Sequence, residues 1–349
     1  MRITLKQLAQ EAGVSVATVS FALNGSRGVS DNTRSRILRL ADKHGYQPNL
    51  VARSLAGGSS RLIGVLIDSE APQIYFKTLS YIEKEADRNG YRIMIGEAHN
   101  NVHHLHEIYE MFKQYNTSGV ICLAHDYPGH EDELNRYFGE CKNIVFLGRP
   151  AIENAAYVDS DRTEAFQAAI NHLDSQGYCR IGMATDSLGH ASILSREKIF
   201  RSIQAARGVK DIDSLLFYGN GELSDISRLF HEKIKQGLID AVITRNDYFA
   251  GMLCKYLAAK HVRVPEDFGV IGVDNNNICM VCTPELSSID DAREDQAVNA
   301  VKILMNMLNN RDEPLQSRQV LVKSKFIVRR SSMKDTSDCL SFSRQFPWD

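Results

Sequence analysis

The spacing of apolar residues along this chain changes once, near residue 60. Up to about residue 45, apolar side chains recur every three or four positions, which is typical of short amphipathic helices. From Leu62 to Ser331, short continuous apolar runs alternate with helical stretches, as in buried parallel strands joined by helices. The pattern predicts a small helical unit followed by a large α/β body.

Capping residues divide the helical unit into three helices. Thr4 followed by Gln7 forms a capping-box pattern, so a helix can begin there. Gly13 can turn left-handed and end that helix, and Ser15 is a good N-cap for a second one. Ser30 caps a third helix. Two short helices joined by a glycine-containing turn are typical of a helix-turn-helix.

The second helix has an outer face of small, uncharged residues that could approach a DNA major groove closely: Val16, Ala17, Thr18 and Ser20. A two-helix hairpin in an ordinary bundle would show the same pattern, so both interpretations stay open on this evidence. Charge favours DNA. Residues 1–60 hold eight basic and three acidic residues, a net charge of +5, whereas the whole chain carries −2. This asymmetry indicates a polyanionic partner for the first unit only.

Composition sets further bounds. A chain of 349 residues with 43% hydrophobic and 24% charged residues is typical of a globular protein with two or three domains. No apolar run approaches the roughly 18–20 residues that cross a membrane, and the N-terminus lacks an apolar signal core. We therefore expect a cytoplasmic protein.

The sequence gives little support for a metal site. Seven cysteines, an odd number, suit reduced thiols in a cytosolic core. Cys279 and Cys282 form a CxxC pair, but no second pair completes a zinc site. His103, His104 and His106 fit one solvated helix face. We expect no metal and no cofactor.

Within the body, the alternation of strands and helices stops and restarts near residue 158, which predicts two lobes, each with a parallel sheet. No GxGxxG motif or P-loop follows a strand, so nucleotide binding has no support. Ligands of open α/β sheets lie outside the carboxyl ends of the strands. We therefore expect a binding cleft where two such edges face each other.

Specific motifs in the first 60 residues carry a family resemblance. They are Thr4 to Asn24 with its Ala12-Gly13-Val14-Ser15 turn and Thr18-Val19-Ser20, then Val29-Ser30, Thr33-Arg34, Gly45-Tyr46, Pro48-Asn49, Val51-Ala52 and Leu55. On these residues the chain closely resembles the LacI/GalR (lac repressor/galactose repressor) family of bacterial transcription regulators. The resemblance continues at lower density to about Ser331.

The resemblance implies a domain order. Residues 1–45 form a helix-turn-helix DNA-binding domain, 46–60 a hinge helix and linker, and 61–331 an effector-binding and dimerisation domain of the periplasmic-binding-protein type. The expected lobes are an N-lobe of about 61–158 with 290–319 and a C-lobe of about 159–289 with 320–331. The polar segment 332–349 is expected to be a disordered tail.

The family pattern also assigns DNA contacts. Val16, Ala17 and Phe21 would read bases. Positioning on the DNA is implied for Thr4, Leu5, Ser15, Thr18, Ser20, Asn24, Ser30, Thr33 and Tyr46. In the hinge, Leu55 matches the leucine that wedges into a central base step, with Asn49 and Ala52 beside it. The expected partner is a pseudo-palindromic double-stranded operator bound by a homodimer.

Effector contacts are implied for loop residues that follow strands, namely Tyr75, Phe76, Arg149, Arg196, Leu223, Asn246 and Asp274. An arginine such as Arg196 can donate two hydrogen bonds to paired hydroxyls or to a carboxylate, and Asp274 could hold adjacent sugar hydroxyls. Each also has a structural interpretation, because Asn and Asp favour turns and helix caps in any case.

Three departures from the family pattern bear on specificity. Phe21 stands where an arginine is frequent in the recognition helix. Gly148 replaces a common cleft aspartate and leaves Arg149 beside it, and Leu223 replaces an aromatic residue. The operator cannot then be copied from relatives, and the effector should differ from the simple sugars of familiar members.

The function expected is sequence-specific transcriptional regulation. The protein would be a repressor of a carbohydrate or related catabolic operon, with operator affinity controlled by a sugar or sugar derivative bound between the lobes. The alternatives are a sugar-binding protein without a specific operator, as in transport, and a cytosolic hydrolase or kinase. No nucleophile elbow, P-loop or metal triad supports an enzyme.

Overall fold

The computed structural model describes residues 3–23, 27–46, 60–68, 72–186, 189–219, 223–309 and 314–334. The chain separates into two compact units, Met1–Ser60 and Arg61–Asp349. The first unit is helical where it is described, and the second contains parallel sheets flanked by helices. The predicted fold class, a helical head and a two-lobe α/β body, is confirmed.

The first unit, here called the head, is a three-helix arrangement around a small apolar core. Its helices are α1 (Leu5–Glu11), α2 (Val16–Leu23) and α3 (Asp31–Lys43). Side chains from all three meet in the core: Leu8, Ala9, Ala12, Val19, Ala22, Ile37 and Ala41. One inward face per helix therefore holds the head together.

The body begins with βα units that follow the predicted alternation. In chain order they are β1 (Leu62–Ile67), α4 (Pro72–Arg88), β2 (Arg92–Glu97), α5 (Val102–Gln114), β3 (Gly119–Cys122), α6 (Glu131–Phe138), β4 (Ile144–Leu147) and β5 (Ala156–Asp161). The fully buried pattern of β3 and β4 is what a strand covered by helices on both faces requires.

A second series follows: α7 (Thr163–Ser175), β6 (Ile181–Asp186), α8 (Ala191–Ala206), β7 (Leu216–Gly219), α9 (Leu223–Lys235), β8 (Ala241–Ile243), α10 (Asp247–Ala259), β9 (Gly269–Val273), α11 (Ile278–Val281) and β10 (Ser287–Asp290). The chain ends its regular structure with α12 (Arg293–Asn309), β11 (Gln319–Lys323) and β12 (Lys325–Ile327).

The described strands form two six-stranded sheets. The first has the order β11-β5-β4-β3-β1-β2 with parallel neighbours throughout, and α12 packs against it and against α4. The second has the order β12-β10-β9-β8-β6-β7 and is parallel except where β12 pairs with β10. We call the parts around these sheets the first lobe and the second lobe.

The chain crosses between the lobes three times, after β5, after β10 and between β11 and β12. The third crossing falls at Ser324. Residues 320–323 therefore pair with β5 in the first lobe, whereas the sequence placed them in the second. β11 pairs in parallel with β5 up to Lys323 opposite Asp161, so the chain leaves the first sheet only after Lys323.

The C-terminal end also differs from expectation. The tail was predicted to begin at residue 332, yet Ser332 is fully buried, and its hydroxyl lies 2.7 Å from the Ser287 hydroxyl. The neighbouring Ser331 donates a hydrogen bond to the Val270 carbonyl. Hydroxyls that satisfy buried polar groups dock this segment despite its low hydrophobicity. The predicted tail beyond residue 334 lies outside the described residues.

In the part of the chain that the structure describes, no helix is both long and apolar enough to span a bilayer.

Candidate functional site

Hydrogen bonds fix the two-helix motif of the head as the sequence predicts. The Thr4 hydroxyl accepts the Gln7 N–H at 3.3 Å, and Gln7 Oε1 accepts the Thr4 N–H at 2.9 Å. Gly13 turns left-handed with φ +63°. Ser15 then accepts the Thr18 N–H at 3.1 Å and starts α2. The motif thus holds α2 at a set angle to α1.

One face of α2 is buried and the opposite face is exposed. Val19 and Ala22 lie in the head core, whereas Val16 is 43% and Phe21 48% exposed. Ala17 is also exposed. Large apolar side chains held out in water on one helix face indicate a contact surface. The residues predicted to read bases therefore share one exposed face.

Of the other predicted DNA residues, Thr4 is exposed and Thr18, Ser20 and Thr33 are half-buried. The rest fall into three groups. Ser15 and Ser30 are exposed and cap helices. Leu5 and Tyr46 are half-buried against the head core, and burial raises the pKa of Tyr46, so both stabilise the head as well. Four predicted residues lie outside the described ranges, namely Asn24, Asn49, Ala52 and Leu55.

Few of the described basic residues of the head form ion pairs. Among its described residues, ion pairs join Glu11 with Lys43 at 3.8 Å and with His44 at 2.8 Å. A hydrogen bond from His44 lowers the pKa of Glu11. Within the described part of the head, four exposed basic side chains form no ion pair: Lys6, Arg27, Arg36 and Arg39. Such a surface attracts a polyanion.

The body contains a cavity of about 610 Å³ at the carboxyl ends of the strands, between the two lobes. The first lobe contributes residues that follow β1, β3 and β4, and the second contributes α8 and the segments after β8 and β9. This is the position expected for a ligand in open α/β sheets, and the volume suits a small molecule.

A cluster of charges, here called the hinge cluster, joins all three crossings beneath this cavity. Its centre is the fully buried Asp291. Asp291 Oδ1 accepts from Arg162 Nε at 2.9 Å and from the Ser324 hydroxyl at 3.3 Å. Asp291 Oδ2 accepts from Arg162 Nη2 at 2.8 Å, Arg196 Nη2 at 3.2 Å and Arg293 Nη2 at 3.4 Å.

The charges of the hinge cluster depend on one another. Burial alone would raise the pKa of Asp291, but Arg162, Arg196 and Arg293 hold it well below its ordinary value. Burial would likewise lower the pKa of Arg162, and Asp291 and Asp159 more than reverse this. The cluster is thus ionised, and a buried carboxylate shared by three arginines is stable only while all partners remain.

Three residues predicted to bind the effector line the cavity beside this cluster. Arg196 is 7% exposed and also donates to the Arg245 carbonyl at 2.9 Å. Asp274 accepts from Arg293 at 3.1 Å. Asn246 accepts the Phe249 N–H at 2.8 Å and caps α10. Each therefore has a structural role in addition to its place in the lining.

The remaining predicted effector residues differ in whether they line the cavity. Tyr75 and the exposed Arg149 line the cavity. Phe76 is 71% exposed and is not part of the lining, because successive helical residues point about 100° apart and Tyr75 takes the inward direction. Leu223 begins α9, and its side chain lies outside what the structure describes.

The His125 ring fills the space that a side chain at position 148 would occupy. A Cβ at Gly148, where φ is +106°, would lie 2.1 Å from the His125 ring. His125 Nδ1 is 3.0 Å from the Leu123 carbonyl, so this nitrogen carries the proton. Burial lowers the pKa of His125. The neutral ring thus occupies the place of the missing side chain and keeps Nε2 as an acceptor.

Two contacts bridge the lobes across the cavity. Asp126, after β3, accepts the backbone N–H groups of Ala191 at 3.0 Å and Ser192 at 3.1 Å, at the start of α8. Lys77 in α4 donates to the Asn275 carbonyl at 3.1 Å. These bonds exist only while the lobes are close, so they favour a closed cleft.

Sequence reasoning missed several residues of this site, namely His125, Asp126, Arg162, Arg245, Asp291 and Arg293. Each follows a strand or stands at a crossing. Position at the carboxyl end of a strand was the available signal.

No group of His, Cys, Asp and Glu among the described residues is arranged to hold a metal ion. Cys279 is buried, Cys282 is half-buried, and both are free thiols. Burial raises the pKa of both thiols, which disfavours the reactive thiolate.

Comparison with known proteins places this geometry in a family. Residues 4–49 match "Bacterial regulatory proteins, lacI family", and residues 170–332 match "Periplasmic binding protein-like domain". The ribose operon repressor of Bacillus subtilis (strain 168) is 31% identical over 344 residues, which cover 95% of this chain and 99% of that protein. The chain belongs to the lacI family of bacterial regulatory proteins, transcriptional regulators with a DNA-binding domain and a ligand-binding domain.

Other relatives agree on this architecture. The HTH-type transcriptional repressor PurR of Pasteurella multocida (strain Pm70) is 25% identical over 332 residues, covering 95% of this chain and 98% of that protein. The crystal structure of the lac repressor dimer bound to operator and the anti-inducer ONPF shares the fold with a TM-score of 0.82 at 20% identity, covering 95% of this chain and 100% of that one.

Proposed function

We propose that this protein is a repressor that binds a pseudo-palindromic operator as a homodimer and is controlled by a small molecule in the cleft. The observation that carries the proposal is the exposed face of α2, where Val16, Ala17 and Phe21 lie opposite a buried face in a basic head. Relatives that bear on it are a ribose operon repressor and a lac repressor bound to operator.

Base recognition in this proposal relies on apolar contact. Phe21 and Val16 offer no hydrogen bonds to base edges but can contact thymine methyl groups in the major groove. The exposed Lys6, Arg27, Arg36 and Arg39 would supply phosphate contacts that set position and salt dependence. In the hinge segment, Leu55 with Asn49 and Ala52 would hold a kinked minor groove.

The effector would bind in the 610 Å³ cavity beside Arg196, Asn246 and Asp274. We propose a sugar or sugar derivative, since one structural neighbour is a regulator in complex with cellobiose. Binding would shift the population between open and closed lobes and so change how two bodies of a dimer present their hinge segments. DNA affinity and effector affinity must then change by the same factor.

The same proposal covers the remaining expectations. We infer a head at residues 1–45, a hinge at 46–60, a body that begins at 61 and includes the docked segment up to residue 334, and a bacterial cytoplasmic location. We also infer that the cleft binds without catalysis: its buried charges are held in mutual ion pairs, which suits recognition more than proton transfer.

Selection of genomic DNA fragments by the purified protein, at stated salt, tests the proposal. We expect one pseudo-palindromic motif with a flexible central step. Phe21→Ala should change the selected bases. Leu38→Ala is the matched control, because Leu38 is 46% exposed in α3 and lies outside the proposed reading face. Random, salt-labile DNA from the unaltered protein would contradict sequence-specific recognition and leave only a sugar-binding protein.

A further inference from the structure

We propose that the effector carries an acidic group, a carboxylate or a phosphate on a polyhydroxy compound, and that Arg196 and Arg245 hold that group. This inference rests on the proposed function, because it assigns a chemical class to the ligand of the same cleft. It follows from how donors and acceptors are distributed around the cavity.

Donors around the cavity exceed the acceptors that the protein provides. Among the described residues, three cavity-lining arginines each keep a buried N–H that donates to no acceptor: Arg196 Nε, Arg245 Nη1 and Arg293 Nε. Burying a donor without a partner is costly in any fold. Three such donors on one cavity indicate a ligand rich in acceptor oxygens.

The carboxylates of the cavity are already engaged by the protein. Asp159 and Asp274 accept from arginines of the hinge cluster, Asp126 accepts two backbone N–H groups, and Asp161 accepts the Thr163 N–H at 3.0 Å. Asp68 accepts from the Tyr127 hydroxyl at 2.8 Å. Each of these carboxylates thus already accepts a hydrogen bond from the protein, and none of them accepts from Arg196 Nε, Arg245 Nη1 or Arg293 Nε.

The basic side chains of the lining are not all engaged. Arg162, Arg196 and Arg293 share Asp291. Within the described residues, no carboxylate forms an ion pair with Arg149, Lys198 or Arg245, although all three line the cavity. Arg149 contacts the Tyr157 ring, with 5.8 Å between guanidinium carbon and ring centre.

Two of the arginines with an unpartnered N–H, Arg196 and Arg245, are in contact with each other. The Arg196 guanidinium donates to the backbone carbonyl of Arg245, which brings both residues together at the end of β8. Both carry an unpaired buried N–H. Two arginines from neighbouring positions can bind one anion through charge-assisted hydrogen bonds, which are stronger than those to a neutral hydroxyl. His125 and Asn246 would meet the hydroxyls of the same ligand.

The test uses Arg245→Gln, which removes the charge but keeps the carbonyl that Arg196 needs. Arg263→Gln is the control, because Arg263 is an exposed arginine that pairs with Asp267 at the surface. A metabolite extract of the source bacterium is divided by anion exchange into neutral and anionic fractions. Each fraction is assayed for the shift in melting temperature of the full-length protein and for the change in affinity for its selected DNA. Glucose, gluconate and glucose 6-phosphate serve as defined probes.

We expect the activity in the anionic fraction, with gluconate or glucose 6-phosphate exceeding glucose. Arg245→Gln should weaken the response to that fraction at least tenfold without lowering the unliganded melting temperature. Arg263→Gln should respond to the fraction as the unaltered protein does. Activity confined to the neutral fraction, no activity in either, or an equal response of both variants would overturn the inference. Failure of the proposed function is distinct, since the unaltered protein would then select no DNA motif.

Discussion

Replacing Asp291 with Asn should strongly destabilise the body. The asparagine keeps the volume and one acceptor oxygen, but its amide donates where the carboxylate accepted. If the amide nitrogen takes the place of Oδ2, it faces the three arginine N–H donors that lie 2.8–3.4 Å from that atom. If it takes the place of Oδ1, it faces the N–H donor of Arg162 Nε. Three arginines would lose the charge they share.

The magnitude follows from burial. Asp291 is fully buried and its partner Arg162 nearly so, with side chains 0% and 5% exposed. Removing one partner of a buried ion pair costs about 3–5 kcal/mol, a large share of the roughly 5–15 kcal/mol that stabilises a typical domain. Asp267→Asn is the control. Its ion pair with Arg263 is exposed and screened by water, so the urea midpoint should hardly move.

Urea denaturation at pH 7, followed by far-UV circular dichroism, measures the difference. The effect should shrink in acid. The pKa of Asp291 is lowered in the folded state, so its stabilisation is present above its unfolded pKa near 3.8 and is lost as the pH falls below that value. Equal urea midpoints for Asp291→Asn and Asp267→Asn at pH 7 would refute the role of the hinge cluster.

Three further exchanges test other contacts. Burial and the charge of Asp274 raise the pKa of Asp247 to about 7, so the stability of the folded protein falls as the pH rises through 7 and this carboxyl ionises. At pH 8, Asp247→Asn should therefore be more stable than the unaltered protein by up to about 4 kcal/mol, and at low pH the two should be equally stable. Denaturant titrations at both pH values measure the difference. Gly148→Asp should lower the melting temperature through its clash with His125, and His125→Ala should restore part of it; no loss would contradict the packing. Asp126→Ala should cost about 0.5–2 kcal/mol as a lost helix cap and enlarge the radius of gyration in X-ray scattering, whereas an unchanged radius would show that Asp126 does not hold the lobes together.

Local patterns in the sequence predicted most of the architecture. Capping at Thr4 and Ser15, and the left-handed turn at Gly13, depend on residues three or four positions apart, and the structure shows each of these contacts. Apolar runs predicted the parallel strands for the same reason. The position of Arg196 and Asp274 in the cavity lining follows from their place after strands and at a helix start.

The hinge cluster could not be predicted in this way. Arg162 and Asp291 are separated by 129 positions, and nothing in the sequence near either indicates the other. Phe76 shows the opposite limit, because two aromatics side by side on a helix cannot both face one cavity. His125 was missed because its ring fills the space beside Gly148, a position that is remote from it in sequence.

The central claim is that ligand in the cleft and DNA on the head influence each other. Fluorescence anisotropy of the selected operator, titrated with and without the active metabolite fraction, gives one coupling factor, and calorimetric titration of that fraction with and without operator gives the other. The account predicts that the two factors are equal and differ from one. A ligand that binds the cleft tightly while operator affinity stays unchanged would contradict it.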